Sequence, residues 1–179
     1  AHHQTQAQVP TSAENVLITP GAQAALFAAH LAACNPHDKA LYIDPYYTTY
    51  PGMLRALSLN PVAIAAKASD GFQPNGASLN AAAQGAASLL INSPNNPTGV
   101  VYGQETLEII ADTCREHDLW LISDEVYASQ VWSGRHITPR SLPGMKERSL
   151  IVGSMSKSHA MTGSRIGWVI GPEDIIAKL

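Results

Sequence analysis

S-L-L-I-N-S-P-N-N-P-T-G at residues 88–99, Q-E-T-L-E-I-I-A-D-T-C-R-E-H at 104–117 and L-W-L-I-S-D-E-V-Y at 119–127 together decide the fold class. The runs 88–91 and 119–122 are almost continuously apolar, which suits strands buried on both faces, as in a parallel sheet. Between them Leu107, Ile110, Ala111 and Cys114 recur at i, i+3, i+4 and i+7, one face of an amphipathic helix. Strand, helix and strand in this order make a crossover unit, which is right-handed in a parallel sheet.

Working outward, five more short apolar runs bounded by turn residues stand at 16–18, 40–43, 62–65, 150–152 and 166–170. Residues 22–34, rich in alanine and leucine and placed straight after Pro20-Gly21, read as a helix, and 50–57 as a shorter one. The alanine-rich stretch 63–85 gives no clear signal. The alternation predicts an α/β three-layer sandwich around a mostly parallel seven-stranded sheet, with ligands collecting at the carboxyl ends of the strands.

With 179 residues, 45% of them hydrophobic and 14% charged, the chain is able to bury a core, and one domain is expected. A net charge of −3 supplies no basic face, so neither nucleic acid nor an anionic membrane is an expected partner. No apolar run approaches a membrane span, and the first residues lack the regions of a signal peptide. Cys34 and Cys114 form no C-x-x-C pair and are expected as reduced core thiols of a cytoplasmic protein. His2 and His3 are read as tail residues, and no other His, Cys or acid stands at ligand spacing, so no metal site is expected. Residues 172–179, P-E-D-I-I-A-K-L, read as the opening of a helix, and the chain is expected to be a fragment.

The chemistry sits in four segments. S-M-S-K (154–157) is followed eight residues after the lysine by Arg165. Lysine offers an amine that is nucleophilic once deprotonated, while serine and arginine bind phosphate oxygens, the parts needed to hold a phosphorylated aldehyde. Taken alone, a solvated loop lysine and a surface arginine fit equally well. T-P-G-A-Q (19–23) is a strand-to-helix junction whose free N–H groups suit a phosphate, or a plain turn. Asp124 ends an apolar strand, where a carboxylate needs a cationic or hydrogen-bonding partner, or else caps a helix. N-N-P-T-G (95–99) is good turn chemistry in its own right. Tyr47, standing among Tyr46 and Tyr50, is open to packing as well as to stacking on a ligand.

In their order along the chain these segments resemble the aspartate aminotransferase superfamily, the fold-type I pyridoxal 5'-phosphate (PLP) enzymes of aminotransferase class I and II. The resemblance runs from about Val16 to Leu179. It implies that residues 1–179 form the PLP-binding large domain, truncated at both ends and without the small C-terminal domain, with the last of its seven strands antiparallel. It implies that Lys157 holds PLP as a Schiff base and then moves a proton. It further implies that the amides at Ala22 and Gln23, with Ser154 and Arg165, take the phosphate, and that Asp124 keeps the ring nitrogen protonated. Asn96 and Tyr127 would donate to the 3'-oxygen, Tyr47 would stack on the ring, and the Asn96–Pro97 bond would be cis. Glu125 is expected to be structural, His159 to take a packing place or one that supports the site residues, and Met155, Met161, Trp132 and Trp168 to belong to the core.

The activity implied is transfer of an amino group from an amino acid to a 2-oxo acid. The runs 117–127 and 156–168 look especially like those of arginine–pyruvate transaminases, which makes arginine and pyruvate the candidate substrates. The same cofactor site would also serve a PLP-dependent carbon–sulfur β-lyase, or a non-catalytic PLP-binding module of a transcription regulator. Family resemblance implies a homodimer for the full-length protein.

Overall fold

The computed structural model describes residues 9–179, and His2 and His3 lie outside them. Seven strands form one sheet: β1 (Val16–Thr19), β2 (Lys39–Asp44), β3 (Asn60–Ala65), β4 (Ala86–Asn92), β5 (Trp120–Asp124), β6 (Ser149–Ser154) and β7 (Gly167–Ile170). Their order is β1-β7-β6-β5-β4-β2-β3, and β7 alone runs against its neighbours. The helices are α1 (Ala22–Ala33), α2 (Tyr50–Ala56), α3 (Gly76–Ala83), α4 (Gln104–Glu116), α5 (Met155–Ser158) and α6 (Glu173–Ile176). All seven expected strands and the helices expected at 22–34, 50–57 and 104–117 are present, with ends shifted by at most two residues, and the helix expected to open at 172 is α6.

Because strand side chains alternate between faces, β4 sends Leu89 and Ile91 to one side and Leu90 to the other. Leu89 and Ile91 pack with Leu79 and Ala83 of α3 and with Leu107 and Ile110 of α4. Leu90 packs with Ala25 and Leu26 of α1 and Tyr50 and Met53 of α2. Three layers result, and the central strands are apolar throughout because both faces are covered. Pro61 is tolerated in β3 because that strand is at the edge of the sheet, where a missing N–H costs no ladder bond.

The stretch that gave no clear signal, 63–85, contains the end of β3 and the whole of α3. Alanine dominates α3, so its apolar stripe is weak, but Asn75 caps it by accepting from the Ser78 N–H at 3.2 Å. Two expectations about packing are corrected. Trp132 is 95% exposed at the tip of a loop. His159 is also exposed, its ring Nδ1 meeting the Ser158 hydroxyl at 2.7 Å, because the one-turn α5 ends beside it and leaves nothing to cover it. Met155, Met161 and Trp168 are half-buried, Cys114 is buried, and Cys34 is half-buried at the end of α1, both thiols being free. No helix among the described residues is long and apolar enough to cross a membrane.

Among the polar residues buried in the fold is a histidine. His30 of α1 is fully buried, with Nδ1 2.8 Å from the Leu26 carbonyl, and burial depresses its pKa to about 4. The unfolded chain therefore takes up this proton first as pH falls below the ordinary value of 6.5. His30 thus erodes stability between pH 6.5 and 4, by on the order of 3 kcal/mol at the lower end. His30→Leu should abolish this component, and denaturant unfolding of both proteins at pH 7 and pH 4.5 measures it. An unchanged pH dependence in the variant would show that His30 is not held neutral by the fold.

Candidate active site

The parallel strands end together. Asn92 of β4 is paired with Asp124 of β5, so the polar residues that close these two strands stand side by side, while Asp124 meets Val152 of β6, two residues before that strand ends at Ser154. Asp124 is buried, and its Oδ2 accepts from the Tyr50 hydroxyl at 2.7 Å while Oδ1 accepts from the Val126 N–H at 3.3 Å. Burial raises its pKa to about 6, with the negative charge of Glu125 adding to that, against the two hydrogen bonds. Among the described residues it has no ion-pair partner. A carboxylate so placed gains most from a cation delivered to its free side.

Asn92 joins two parts of the site. Its Nδ2 donates to the Asp124 carbonyl at 2.9 Å, and its Oδ1 accepts from the Asn96 N–H at 2.8 Å. The 95–99 turn is thereby fixed relative to the end of β5, and the Asn96–Pro97 bond is cis, as the resemblance implied. Asn96 Nδ2 meets the Tyr127 hydroxyl at 3.5 Å. Tyr47, 40% exposed, stands over the rim with its ring edge-on to Tyr50 at 5.8 Å.

The end of the site opposite Asp124 is made by the start of α1. Ala22 and Gln23 occupy its first turn, where N–H groups have no partner inside the helix and the dipole is positive. Gly21 precedes them at φ +90°, and a Cβ there would come within 2.8 Å of the Arg165 Cζ. A Cβ on Gly167 would lie 2.7 Å from the Ala22 nitrogen. Two missing side chains thus let a strand, a helix end and a guanidinium converge on one point. Arg165, itself at φ 48°, donates from Nη1 to the Thr162 carbonyl at 3.0 Å.

Ser154 caps the single turn that carries Lys157. Its Oγ accepts from the Ser156 N–H at 3.0 Å and lies 3.0 Å from the Ile166 carbonyl. Lys157 is exposed, with Nζ 5.7 Å from the centre of the Tyr127 ring. A cavity of ≈ 260 Å³ is lined by Ala22, Gln23, Tyr47, Asn96, Asp124, Tyr127, Ser154, Lys157 and Arg165, every site residue singled out from the sequence. Its wall also includes Asn92, Ser156 and Thr162.

Two residues that shape the site escaped the sequence reading. Asn92 carried a usable signal, being a polar residue that ends an apolar strand, as Asp124 does. Tyr50 carried none, since its partner is 74 residues away.

The family model for aminotransferase class I and II matches residues 1–179. Arginine–pyruvate transaminase of Pseudomonas aeruginosa is 38% identical over 178 residues, covering 99% of this chain and 45% of that protein. Human kynurenine–oxoglutarate transaminase 1 is 37% identical, over 92% of this chain and 42% of that protein. Aspartate aminotransferase of Thermus thermophilus, solved with maleate, superposes with a TM-score of 0.94 at 34% identity, over 98% of this chain and 46% of that one. The chain spans less than half the length of these relatives.

The protonation of Asp124 sets a testable stability. Its folded pKa, about 6, is above the ordinary 3.8, so the folded chain holds this proton more tightly. Its contribution to stability is full below pH 3.8 and is lost as pH rises through 6, a difference on the order of 3 kcal/mol. Asp124→Asn should therefore raise the melting temperature at pH 8 and leave it nearly unchanged at pH 4. A variant destabilised at pH 8 in thermal melts would refute the assignment.

Proposed function

Because the chain belongs to the class I and II aminotransferase family, we propose that these residues form the cofactor-binding large domain of a PLP-dependent transaminase, which moves an amino group from an amino acid to a 2-oxo acid. The observation that carries this reading is the single cavity in which a buried acid, a lysine amine and a helix start joined by an arginine face one another. Those groups fit PLP. Asp124 lacks a cation, which a protonated pyridine would provide, and the Gly21 gap leaves room for the Arg165 guanidinium where a phosphate would sit. When bound, PLP supplies an aldehyde with which amines condense and a ring that draws off electrons.

The work of the chain's own residues follows from their placement. Ala22 and Gln23 present N–H groups, and Arg165 two guanidinium donors, to the phosphate. Asp124 keeps a proton on the ring nitrogen, and the Tyr50 hydroxyl orients its carboxylate for that bond. Asn96 and Tyr127 stand together to donate to one oxygen and so favour its ionised form. Tyr47, which lines the same cavity, would cover one face of the ring. Lys157 on its capped turn would supply the amine that anchors the cofactor and, once freed, would move the proton from the substrate's α-carbon to the cofactor's aldehyde carbon.

The relatives described above are named as transaminases, which favours transfer over the elimination a β-lyase performs and over a non-catalytic regulator module. Arginine with pyruvate is the substrate pair we propose to test first on the complete protein, in keeping with the resemblance of residues 117–127 and 156–168. The same reading makes the complete protein a cytoplasmic homodimer.

Adding PLP to the chain should produce the absorbance of a lysine-bound cofactor, and borohydride should fix its mass on Lys157. Lys157→Ala should lose both signals, and their persistence would overturn the assignment. Arg165→Ala should retain the absorbance but weaken PLP binding by roughly tenfold to a hundredfold in titration, the cost of one charge-assisted phosphate contact. Undiminished affinity would remove Arg165 from the cradle.

A further inference from the structure

Consecutive residues at a strand end point to opposite faces, so the acid after Asp124 turns away from the cavity. Glu125 is buried, and its Oε1 accepts from Ser123 Oγ at 3.1 Å and Thr138 Oγ1 at 2.8 Å. Its Oε2 is 2.9 Å from His136 Nε2. His136 and Thr138 lie at the far end of a segment, 126–138, that contains neither helix nor strand. The residue just before the loop thus holds the loop's far end.

That loop has little else to hold its outer part. Residues 132–135 are exposed, and Trp132 at the tip packs on nothing. Yet its first residues border the cavity. Tyr127 meets Asn96 and stands beside Lys157, and Gln130 Nε2 donates to the Lys157 carbonyl at 3.3 Å. Freeing the far end would return conformational entropy to the whole segment, Tyr127 included.

We propose that Glu125 is a positioning residue: by clasping His136 and Thr138 it closes the 126–138 loop and so holds Tyr127 in register with the cavity. Its effect on the cofactor rests on the PLP reading above, whereas the clasp itself does not. Glu125→Ala and His136→Ala each remove it, and His136→Ala leaves the Glu125 charge beside Asp124 in place.

Two measurements on the whole chain test this. Without cofactor, hydrogen exchange of amides 126–138 should be roughly tenfold faster in both variants, the loss of one charged hydrogen bond, with amides 120–124 unchanged. With PLP, the pH midpoint of its absorbance change should rise in Glu125→Ala, His136→Ala and Tyr127→Phe alike. The double variant His136→Ala/Tyr127→Phe should shift no further than Tyr127→Phe alone, because His136 acts through Tyr127. Unchanged loop exchange overturns the clasp. Faster exchange with an unmoved midpoint, or additive shifts in the double variant, overturns the positioning role. If the wild-type chain gives no absorbance with PLP, the functional reading fails while the exchange result still decides the clasp. Should Glu125→Ala fail to fold by circular dichroism, His136→Ala carries both measurements.

Discussion

A carboxylate withdrawn from water at the end of a central strand is the constraint around which this molecule is arranged. Asp124 cannot be left alone there, and the fold answers with the Tyr50 hydroxyl, the Val126 N–H and a cavity on the remaining side. Each answer comes from a different element, so the acid ties α2, β5 and the loop after β5 to one point. The residual cost shows as a pKa near 6. A site that is destabilising when empty and relieved by a cation is suited to a cationic ring, since filling it recovers what burial cost. His30 pulls the other way over the same pH range, so the two buried groups partly offset each other in the empty chain.

The opposite end of the cavity depends on what is missing. Anion binding at a helix start needs backbone N–H groups laid bare, and any side chain at Gly21 or Gly167 would fill that space. Removing those Cβ atoms draws α1, β7 and Arg165 together, and the antiparallel course of β7 brings Gly167 back beside the end of β6, where Ser154 begins the lysine turn. Asp124 thus ends β5 while Arg165 stands two residues before β7 of the same sheet, with the cavity between them. Their separation depends on strand register and on the short turn at 162–165 that carries the arginine, and a planar ligand held at both ends requires both to be fixed.

The pair Asp124-Glu125 shows how one strand end serves two purposes. The two-residue period of the strand sends the first acid to the cavity and the second to the back, where it fastens a loop. The same division runs through the whole sheet, whose faces carry separate apolar clusters.

The number of strands, the crossover between β4 and β5 and the placement of polar residues at strand ends were legible in the chain, because apolar runs and helical spacing are local patterns. The motifs were legible for the same reason: S-M-S-K, S-D-E-V-Y and N-N-P-T-G each sit on one turn or strand end. The alanine-rich helix at 76–83 was not, since alanine marks no face, and the exposure of Trp132 and His159 ran against their apolar and aromatic character because neither has a neighbouring layer. Tertiary structure alone decided which groups face each other. Tyr50 finds Asp124 and Thr138 finds Glu125 only after the sheet has formed, and no spacing in a linear chain encodes a hydrogen bond across 74 residues. Sequence thus determined the parts and their order, while the register of parallel strands, a product of packing on both faces, determined the distances between them.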